Sequence, residues 1–158
     1  MRFEMTFVKV ELSACLPAAS QLGWAAGFVD GEGCVRIARR NPGPGRNRIY
    51  SLELSISQNM RSTLEHFQSI FPDLHGSLRL HDDGPHLRRP VFVLNYRCAQ
   101  CLDLLLRLEP FLVRKKAEAQ CGIEFARGVS FVRRGRTPHP PEQMALRETF
   151  FQRMSALK

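Results

Sequence analysis

The stretch that decides the fold runs from Leu22 to Gly33 and reads LGWAAGFVDGEG. Its first half is small and apolar, and Ser20, a residue type that commonly caps helices, precedes it, so we predict a helix that begins there. Gly23, Gly27 and Gly31 are spaced so that two helix backbones could approach closely along this side. Because the stretch is too short and too charged to cross a membrane, the pattern predicts a close helix pair rather than a membrane span.

Two carboxylates, Asp30 and Glu32, end this stretch together with Gly31 and Gly33. An acid at the close-packed end of the helix would meet its counterpart on the partner helix. Two neighbouring carboxylates repel each other unless a proton or a divalent cation lies between them. The stretch therefore indicates a metal site between paired helices, and the alternative is an ordinary amphipathic helix that ends in a glycine-rich turn.

Residues Ala25 to Gly33, AAGFVDGEG, resemble the LAGLIDADG motif of homing endonucleases. In that family the motif helix forms the centre of a dimer or pseudo-dimer, and the acid before the last glycine binds the catalytic metal. The resemblance gives this role to Glu32, although Ala25 replaces the first leucine and the second acid is Glu rather than Asp. Since the chain carries one copy of the motif, the resemblance implies a homodimer whose interface contains Gly23, Trp24, Ala26, Gly27 and Asp30.

The length of 158 residues fits one domain with its own core. We predict an N-terminal extension of unknown purpose over residues 1–19 and a single domain over residues 20–158. A net charge of +8 and a pI near 9.9 favour a polyanionic partner. No stretch approaches the roughly 20 apolar residues of a membrane span, so we expect no membrane partner.

Five cysteines, an odd number, argue against a disulfide framework. Cys98 and Cys101 have the spacing of a zinc ligand pair, but the chain offers no second pair to complete a tetrahedral site. The two cysteines share a helical face with Leu102 and Leu105, which favours core packing. We therefore expect a reducing intracellular compartment, such as the cytoplasm, nucleoid or an organelle matrix, and no organic cofactor.

Alternating apolar and polar residues predict four strands, and apolar residues at helical spacing predict the helices between them. Loop signals at Asn41–Arg46 and Asp82–Pro85 mark the turns of two hairpins. The predicted strands are Cys34–Arg40, Ile49–Gln58, a strand containing Leu78 and Leu80, and Arg89–Tyr96. The later predicted helices are Asn59–Phe71, Cys98–Leu108, one from Pro110 to about Gly128, and, after a basic linker over Arg133–Pro141, a C-terminal helix over about residues 142–157.

This order of elements, αββαββα with further helices at the end, predicts an α+β fold whose four-stranded, mainly antiparallel sheet is covered on one face. The resemblance implies the mixed homing-endonuclease fold, in which this sheet forms a saddle on DNA. The similarity extends over roughly Ser20 to Gly128.

The uncovered face of the predicted sheet is rich in arginine and small hydroxyl residues. Between Cys34 and Arg97 there are ten arginines, five acids and no lysine. Arginine suits phosphates and base edges, and a two-stranded ribbon fits the major groove, although a solvated sheet face would look similar. The predicted DNA-binding residues are Arg36, Arg40, Arg46, Arg48, Ser51, Glu53, Ser55, Ser57, Ser77, Arg79, His81 and Arg89.

Phosphodiester cleavage needs a polarised phosphoryl oxygen, an activated water and a stabilised leaving oxygen, which carboxylate-bound metal ions can supply. We expect Mg²⁺ held by Glu32 and the Gly31 carbonyl, because oxygen ligands favour this ion. The resemblance adds Gln58, at a position where the family holds a water-positioning glutamine, and Lys115, within the pattern LEPFLVRKK of Leu108–Lys116. Lys116 or Arg114 could replace Lys115, and Arg61 is a weaker candidate for an accessory basic residue that contacts DNA.

Together with these residues, the resemblance implies a homodimeric homing endonuclease that cuts both strands of a long, nearly palindromic double-stranded DNA site across the minor groove, in the setting of intron homing. An RNA maturase or a non-cleaving DNA-binding regulator with the same fold is the first alternative. A basic dimerisation or scaffold domain with a coincidental motif is the second.

Overall fold

The computed structural model describes residues 17–41, 43–81, 89–129 and 139–158, and the elements in these ranges follow the predicted order. A 3-10 turn over Glu109–Phe111 separates the third and fourth helices. The elements are α1 Ala19–Glu32, β1 Gly33–Arg40, β2 Ile49–Gln58, α2 Arg61–Ile70, β3 Ser77–His81, β4 Val91–Arg97, α3 Cys98–Leu108, α4 Lys116–Gly128 and α5 Pro141–Ala156.

The four strands form one antiparallel sheet in the order β1-β2-β4-β3, which confirms the predicted α+β class and the antiparallel sheet. Val35 on β1 lies opposite Leu54 on β2, and Leu54 lies opposite Tyr96 on β4. All three side chains are buried, since alternate residues of each strand point to the helices. The remaining positions of the strands form the uncovered face.

The helices pack on the covered face, and α4 approaches β2 especially closely. A methyl group at Gly122 of α4 would lie 2.8 Å from the Leu52 side chain, so glycine lets the helix backbone reach the sheet. The core beneath includes Phe67, Leu104 and Phe125. In the described part of the chain, no helix combines the length and apolar character that crossing a membrane requires.

The C-terminal helix α5 covers the sheet beside its edge strand β1. Arg39 donates to Glu148 of α5 at 2.8 Å, and its guanidinium lies 4.3 Å from the centre of the Phe151 ring. Met154 is buried in the same contact. The helix begins at Pro141, a favoured first helical position, slightly before the predicted start.

Three predicted helix starts are wrong. The helix predicted from Asn59 begins at Arg61, with Met60 at its N-cap. Ser20 lies inside α1, and the cap is formed instead by the Ala18 amide, which donates to the Gln21 side chain at 2.9 Å. No regular α-helix starts at Pro110. After the 3-10 turn, the backbone amides of Val113 and Lys115 donate hydrogen bonds to the Asp30 carboxylate instead of to helix carbonyls. Regular helix therefore resumes only at Lys116.

The strand and cysteine predictions also need correction near β4. Arg89 lies before the strand, which starts at Val91 because Pro90 has no amide hydrogen for the ladder. Cys101 is buried as predicted, but Cys98 is exposed and has a φ of 50° at the junction of β4 and α3. The expected core packing therefore holds for Cys101 alone of this pair.

Candidate functional site

Glu32 is the last residue of α1, and β1 begins at the next residue. Its side chain is exposed. A side chain at Gly33 would meet the Val29 carbonyl oxygen at 2.7 Å, so the immediate change from helix to strand requires glycine. Within the residues that the structure describes, no hydrogen bond or ion pair engages the Glu32 carboxylate.

Asp30 joins this helix end to the segment that carries Lys115. Its carboxylate accepts hydrogen bonds from the amides of Val113 at 2.8 Å and Lys115 at 2.9 Å. Burial alone would raise the pKa of Asp30, but these amides and the Lys115 charge hold it below its ordinary value. Asp30 therefore acts inside its own chain and brings the Lys115 backbone to the end of α1.

Lys115 and Lys116 differ in their surroundings. The Lys116 ammonium lies 3.8 Å from the Glu109 carboxylate, which also accepts from Gln120. The Lys115 side chain is half-buried and makes no hydrogen bond or ion pair with any described residue. Arg114 is exposed, with one guanidinium nitrogen 3.5 Å from the Asp30 carbonyl oxygen. These contacts leave Lys115 as the uncommitted cation beside Asp30.

Gln58 ends β2 at the same end of the sheet as Glu32. Gly33 pairs with Ile56, so Gln58 lies two positions beyond the partner of the residue that follows Glu32. Its side-chain oxygen accepts from the Asn59 amide at 3.0 Å, which leaves its amide group to donate elsewhere. The three predicted catalytic positions thus belong to elements that meet at one corner.

The chemistry of this corner fits a hard divalent cation. Glu32 offers an uncommitted carboxylate, and the carbonyls of the last turn of α1, including that of Gly31, form the negative end of the helix dipole. No group of three or more His, Cys, Asp and Glu side chains that could hold a metal occurs within residues 17–41, 43–81, 89–129 and 139–158. A cation here would complete its shell with water and oxygen atoms from outside this chain.

One side of α1 is open. A side-chain carbon added at Gly23, Gly27 or Gly31 would meet nothing within 4 Å. Trp24 is 40% exposed and stacks on Phe28 with ring centres 5.2 Å apart. The prediction for Ala26 is wrong, because this residue is fully buried within its own chain and cannot present a side chain to a partner.

The uncovered sheet face holds most of the predicted DNA-binding residues. Arg79 is exposed on β3 opposite Val93, and its guanidinium makes no ion pair with a described residue. Ser55 and Ser57 follow along β2, and Ser77 lies opposite Asn95. His81 is half-buried opposite Val91 at the end of β3, and Arg46 is exposed in the β1–β2 turn, where Gly43 and Gly45 have positive φ.

Glu53 was predicted to contact DNA, but its carboxylate is not available to a ligand. It is 1% exposed and accepts from Arg36 at 2.8 and 3.2 Å, from Arg40 at 3.0 Å and from the Ser51 hydroxyl at 3.0 Å. Arg97 adds a contact at 3.4 Å. Burial favours the neutral carboxyl, but the Arg36 and Ser51 hydrogen bonds and the charges of Arg36 and Arg97 hold the pKa of Glu53 below its ordinary value.

Two other predicted arginines have partners away from the uncovered face. Arg48 lies 3.6 Å from Glu148 of α5, on the covered side with Tyr50. Arg61 donates to Glu65 one helical turn later at 2.7 Å. Both remain exposed, so these pairs are surface contacts that a stronger anion could replace.

Solved structures share this arrangement of elements. The homing endonuclease I-CvuI in complex with its target, solved in the presence of Ca, aligns with a TM-score of 0.72 at 18% identity over 88% of this chain and 82% of its own. The archaeal intron-encoded homing endonuclease I-Vdi141I, complexed with DNA, aligns with a TM-score of 0.67 at 17% identity over 88% and 84%. The LAGLIDADG homing endonuclease I-GzeII, in complex with its DNA target, aligns with a TM-score of 0.58 at 15% identity over 86% and 43%.

The chain has the LAGLIDADG homing endonuclease fold. This confirms the family resemblance of Ala25–Gly33 at the level of fold. At the level of sequence, neither a family model nor a curated protein matches the chain.

Within this homing endonuclease fold, Arg97 is the main residue of the uncovered face that the sequence argument missed. It lies opposite Glu53 on the neighbouring strand, where its guanidinium is half exposed. Positions 93, 95 and 97 alternate along β4, and this pattern could have placed Arg97 on the uncovered face. The contact itself requires the β2–β4 register, which alternation alone does not supply.

Asp30→Asn is expected to loosen the Lys115 segment. An amide side chain can accept from one of the two backbone amides, but its own NH₂ group opposes the other, so the loss should be about 1–3 kcal/mol, toward the low end because Asp30 is half-buried. Since the pKa of Asp30 is lowered in the folded state, this stabilisation is present above its ordinary value of 3.8 and is lost as the pH falls through the folded-state pKa. Urea unfolding at pH 7 and near pH 3 measures the loss of stability in Asp30→Asn and its dependence on pH.

The control is Asp103→Asn, which removes the same charge from an exposed position on α3. We expect its stability to match that of the unsubstituted protein at both pH values. A constant stability difference for Asp30→Asn from pH 7 to pH 3 would contradict the assignment of the carboxylate as the acceptor.

Proposed function

We propose that the chain acts as a homodimeric homing endonuclease that cuts both strands of a long, nearly palindromic DNA site with Mg²⁺. The observation that carries this proposal is the uncommitted Glu32 carboxylate, which lies where the open side of α1 meets the arginine-bearing sheet. Structural neighbours are described as homing endonucleases complexed with DNA, and I-CvuI structures were determined in the presence of Ca and of Mg.

In this proposal, pairing along α1 brings two copies of Glu32 together. The glycine side of the helix offers space for a partner backbone, and Phe111 and Val113, which is 85% exposed, add apolar surface beside the end of α1. Val113 is held there because its amide donates to Asp30. The same carboxylate thus supports both the proposed interface and the position of Lys115.

Each Glu32, with the Gly31 carbonyl, would bind Mg²⁺ between the paired helices. The ion would polarise the scissile phosphate, lower the pKa of bound water and stabilise the leaving oxygen. Lys115, placed through its backbone by Asp30, would contact the charged phosphate, and the Gln58 amide would orient water.

The uncovered sheet would lie in the major groove. A strand of ten residues such as β2 spans about 33 Å, which is close to one turn of duplex DNA of about 34 Å. Two sheets related by a two-fold axis would cover about two turns, which requires a site with approximate two-fold symmetry. The excess of arginine supplies donors for both phosphates and guanine edges.

A DNA-binding regulator with the same fold is the second candidate function, and the buried Glu53 with its arginines would serve it equally well. The free carboxylate at Glu32 favours cleavage, because a purely binding protein gains nothing from an unpaired negative charge facing DNA. An RNA maturase and a basic scaffold domain remain the further alternatives.

The test uses the full chain with a linear duplex library that contains a randomised segment of about two helical turns. With Mg²⁺ we expect double-strand cuts in a set of related, nearly palindromic sequences, and none with EDTA. Selective binding without cutting would instead identify a regulator, and binding of structured RNA without duplex DNA would identify a maturase. Binding of neither nucleic acid would favour the scaffold.

A further inference from the structure

Glu53 lies in the middle of β2, on the uncovered sheet face. Its neighbours across the strands are Arg36 on β1 and Arg97 on β4, so one row contains two arginines with a carboxylate between them. Arg40, four residues after Arg36, folds back to the same carboxylate. All three guanidinium groups remain about half exposed, whereas Glu53 is 1% exposed beneath them.

The contact with Arg36 uses one edge of its guanidinium. Nε and Nη2 donate to the same Glu53 oxygen, Oε2, at 3.2 and 2.8 Å. The opposite edge, formed by Nη1 and Nη2, keeps two parallel donors and belongs to a side chain that is 47% exposed. Two parallel donors in one plane match guanine O6 and N7 in the major groove.

Both oxygens of Glu53 are already engaged. Oε1 accepts from Arg40 and from the Ser51 hydroxyl, each at 3.0 Å, and lies 3.4 Å from Arg97 Nε. A direct contact of Glu53 with the amino group of cytosine would require the carboxylate to leave these donors and reach the surface. The cluster keeps a net charge of +2, from three arginines and one glutamate, so it still attracts DNA.

We propose that Glu53 is a positioning residue that fixes the plane of Arg36, so that the free edge of this guanidinium reads a guanine in each half of the DNA site. This inference rests on the proposed DNA-binding function. Arg40 and Arg97 approach the other oxygen of the same carboxylate, Oε1, so their half-exposed guanidinium groups lie beside that of Arg36. In this proposal they bind backbone phosphates next to the guanine.

A guanidinium held in place before binding loses less freedom on binding, and this favours the one base pair that matches its orientation. The negative charge of the buried carboxylate also offsets one of the three arginine charges, which limits the attraction of the cluster to the backbone of DNA of any sequence. Both effects increase the difference in affinity between a matching and a random site.

The test compares the base preferences of the unsubstituted protein and Glu53→Gln in binding selections from a randomised duplex library, with Ca²⁺ in place of Mg²⁺ to avoid cutting. We expect Glu53→Gln to lose the preference for one G·C pair in each half-site by about 5- to 150-fold, while its affinity for random DNA stays equal or rises. Glu124→Gln is the matched control, because it removes the same charge from a carboxylate of α4 that holds Arg153 of α5, and neither residue belongs to the predicted DNA-binding set. Its base preferences should be unchanged.

A second arm identifies the base atom. Replacing the preferred guanine by 7-deazaguanine removes the N7 acceptor. This change should weaken DNA binding by the unsubstituted protein and leave DNA binding by Glu53→Gln unaffected. If Glu53→Gln does not fold, Arg36→Lys replaces it, since an ammonium group cannot bind Glu53 by one edge and guanine by the other. Arg36→Lys should then lose the same preference.

Unchanged base preferences in Glu53→Gln, an equal loss in Glu124→Gln, or tolerance of 7-deazaguanine by the unsubstituted protein would each overturn the inference. In all three cases selective DNA binding by the unsubstituted protein would leave the proposed function standing. Absence of any DNA selectivity in the unsubstituted protein would overturn both.

Discussion

Replacing Glu32 by Gln is expected to slow DNA cleavage at least about 10³-fold and to leave DNA affinity nearly unchanged. A glutamine keeps the shape of the side chain but supplies no negative charge to the cation. Polarisation of phosphate by a bound metal contributes several kcal/mol, and each 1.36 kcal/mol corresponds to a tenfold change in rate. Affinity depends mainly on phosphate contacts, which Glu32 does not make.

The measurement is single-turnover cleavage of the selected site in Mg²⁺, with filter binding of the same duplex in Ca²⁺. Glu142→Gln is the control, since it removes one negative charge from the exposed first turn of α5. We expect this variant to cut at the rate of the unsubstituted protein. Cleavage by Glu32→Gln at that same rate would show that Glu32 does not bind the metal ion.

The elements that the sequence predicted well are those that short-range patterns determine. Alternation along Ile49–Gln58 fixed both the strand and its buried side, and β2 has these same bounds in the structure. The helix Cys98–Leu108 is also as predicted, because its leucines recur at helical spacing. The motif at Ala25–Gly33 identified α1 and the position of Glu32 at its end.

The helix predicted to start at Pro110 failed because of contacts between residues far apart in the sequence. The amides of Val113 and Lys115 bind Asp30, which lies more than eighty residues earlier, and this contact delays α4 until Lys116. Pro110 is a good first helical residue, so local propensity favoured an earlier start. Tertiary hydrogen bonds to a carboxylate outweighed that preference.

The same limit applies to the candidate reading surface. Alternation placed Glu53 with the polar residues of its strand, but it could not show that arginines from two neighbouring strands cover it. Pairing register decides this, and register depends on turn geometry and on burial of the opposite face. The role of Glu53 therefore changed from a predicted DNA contact to a buried anchor for arginines.

Gly27→Leu is expected to abolish dimer formation without harming the fold of the single chain. Within one chain, a side chain at Gly27 meets nothing within 4 Å, and leucine favours helix by about 0.5–1 kcal/mol over glycine. In a two-fold pair each leucine would fill space that the partner backbone needs. At about 1–3 kcal/mol per site and two sites, the dimer should weaken by about 30-fold or more. Cleavage of both strands should disappear with it.

Sedimentation velocity measures the association state, and thermal unfolding measures the stability of the monomer. The contrasting variant is Gly122→Ala, whose methyl group would lie 2.8 Å from Leu52 inside the chain, so it should lower thermal stability and leave association unchanged in the folded fraction. The sign of the change in thermal stability thus distinguishes the two positions. Substitution of the core residue Gly122 should lower it, and substitution of the proposed interface residue Gly27 should not. A native-like, active dimer of Gly27→Leu would show that α1 does not pair through its glycine side, and the two copies of Glu32 would then need another way to meet.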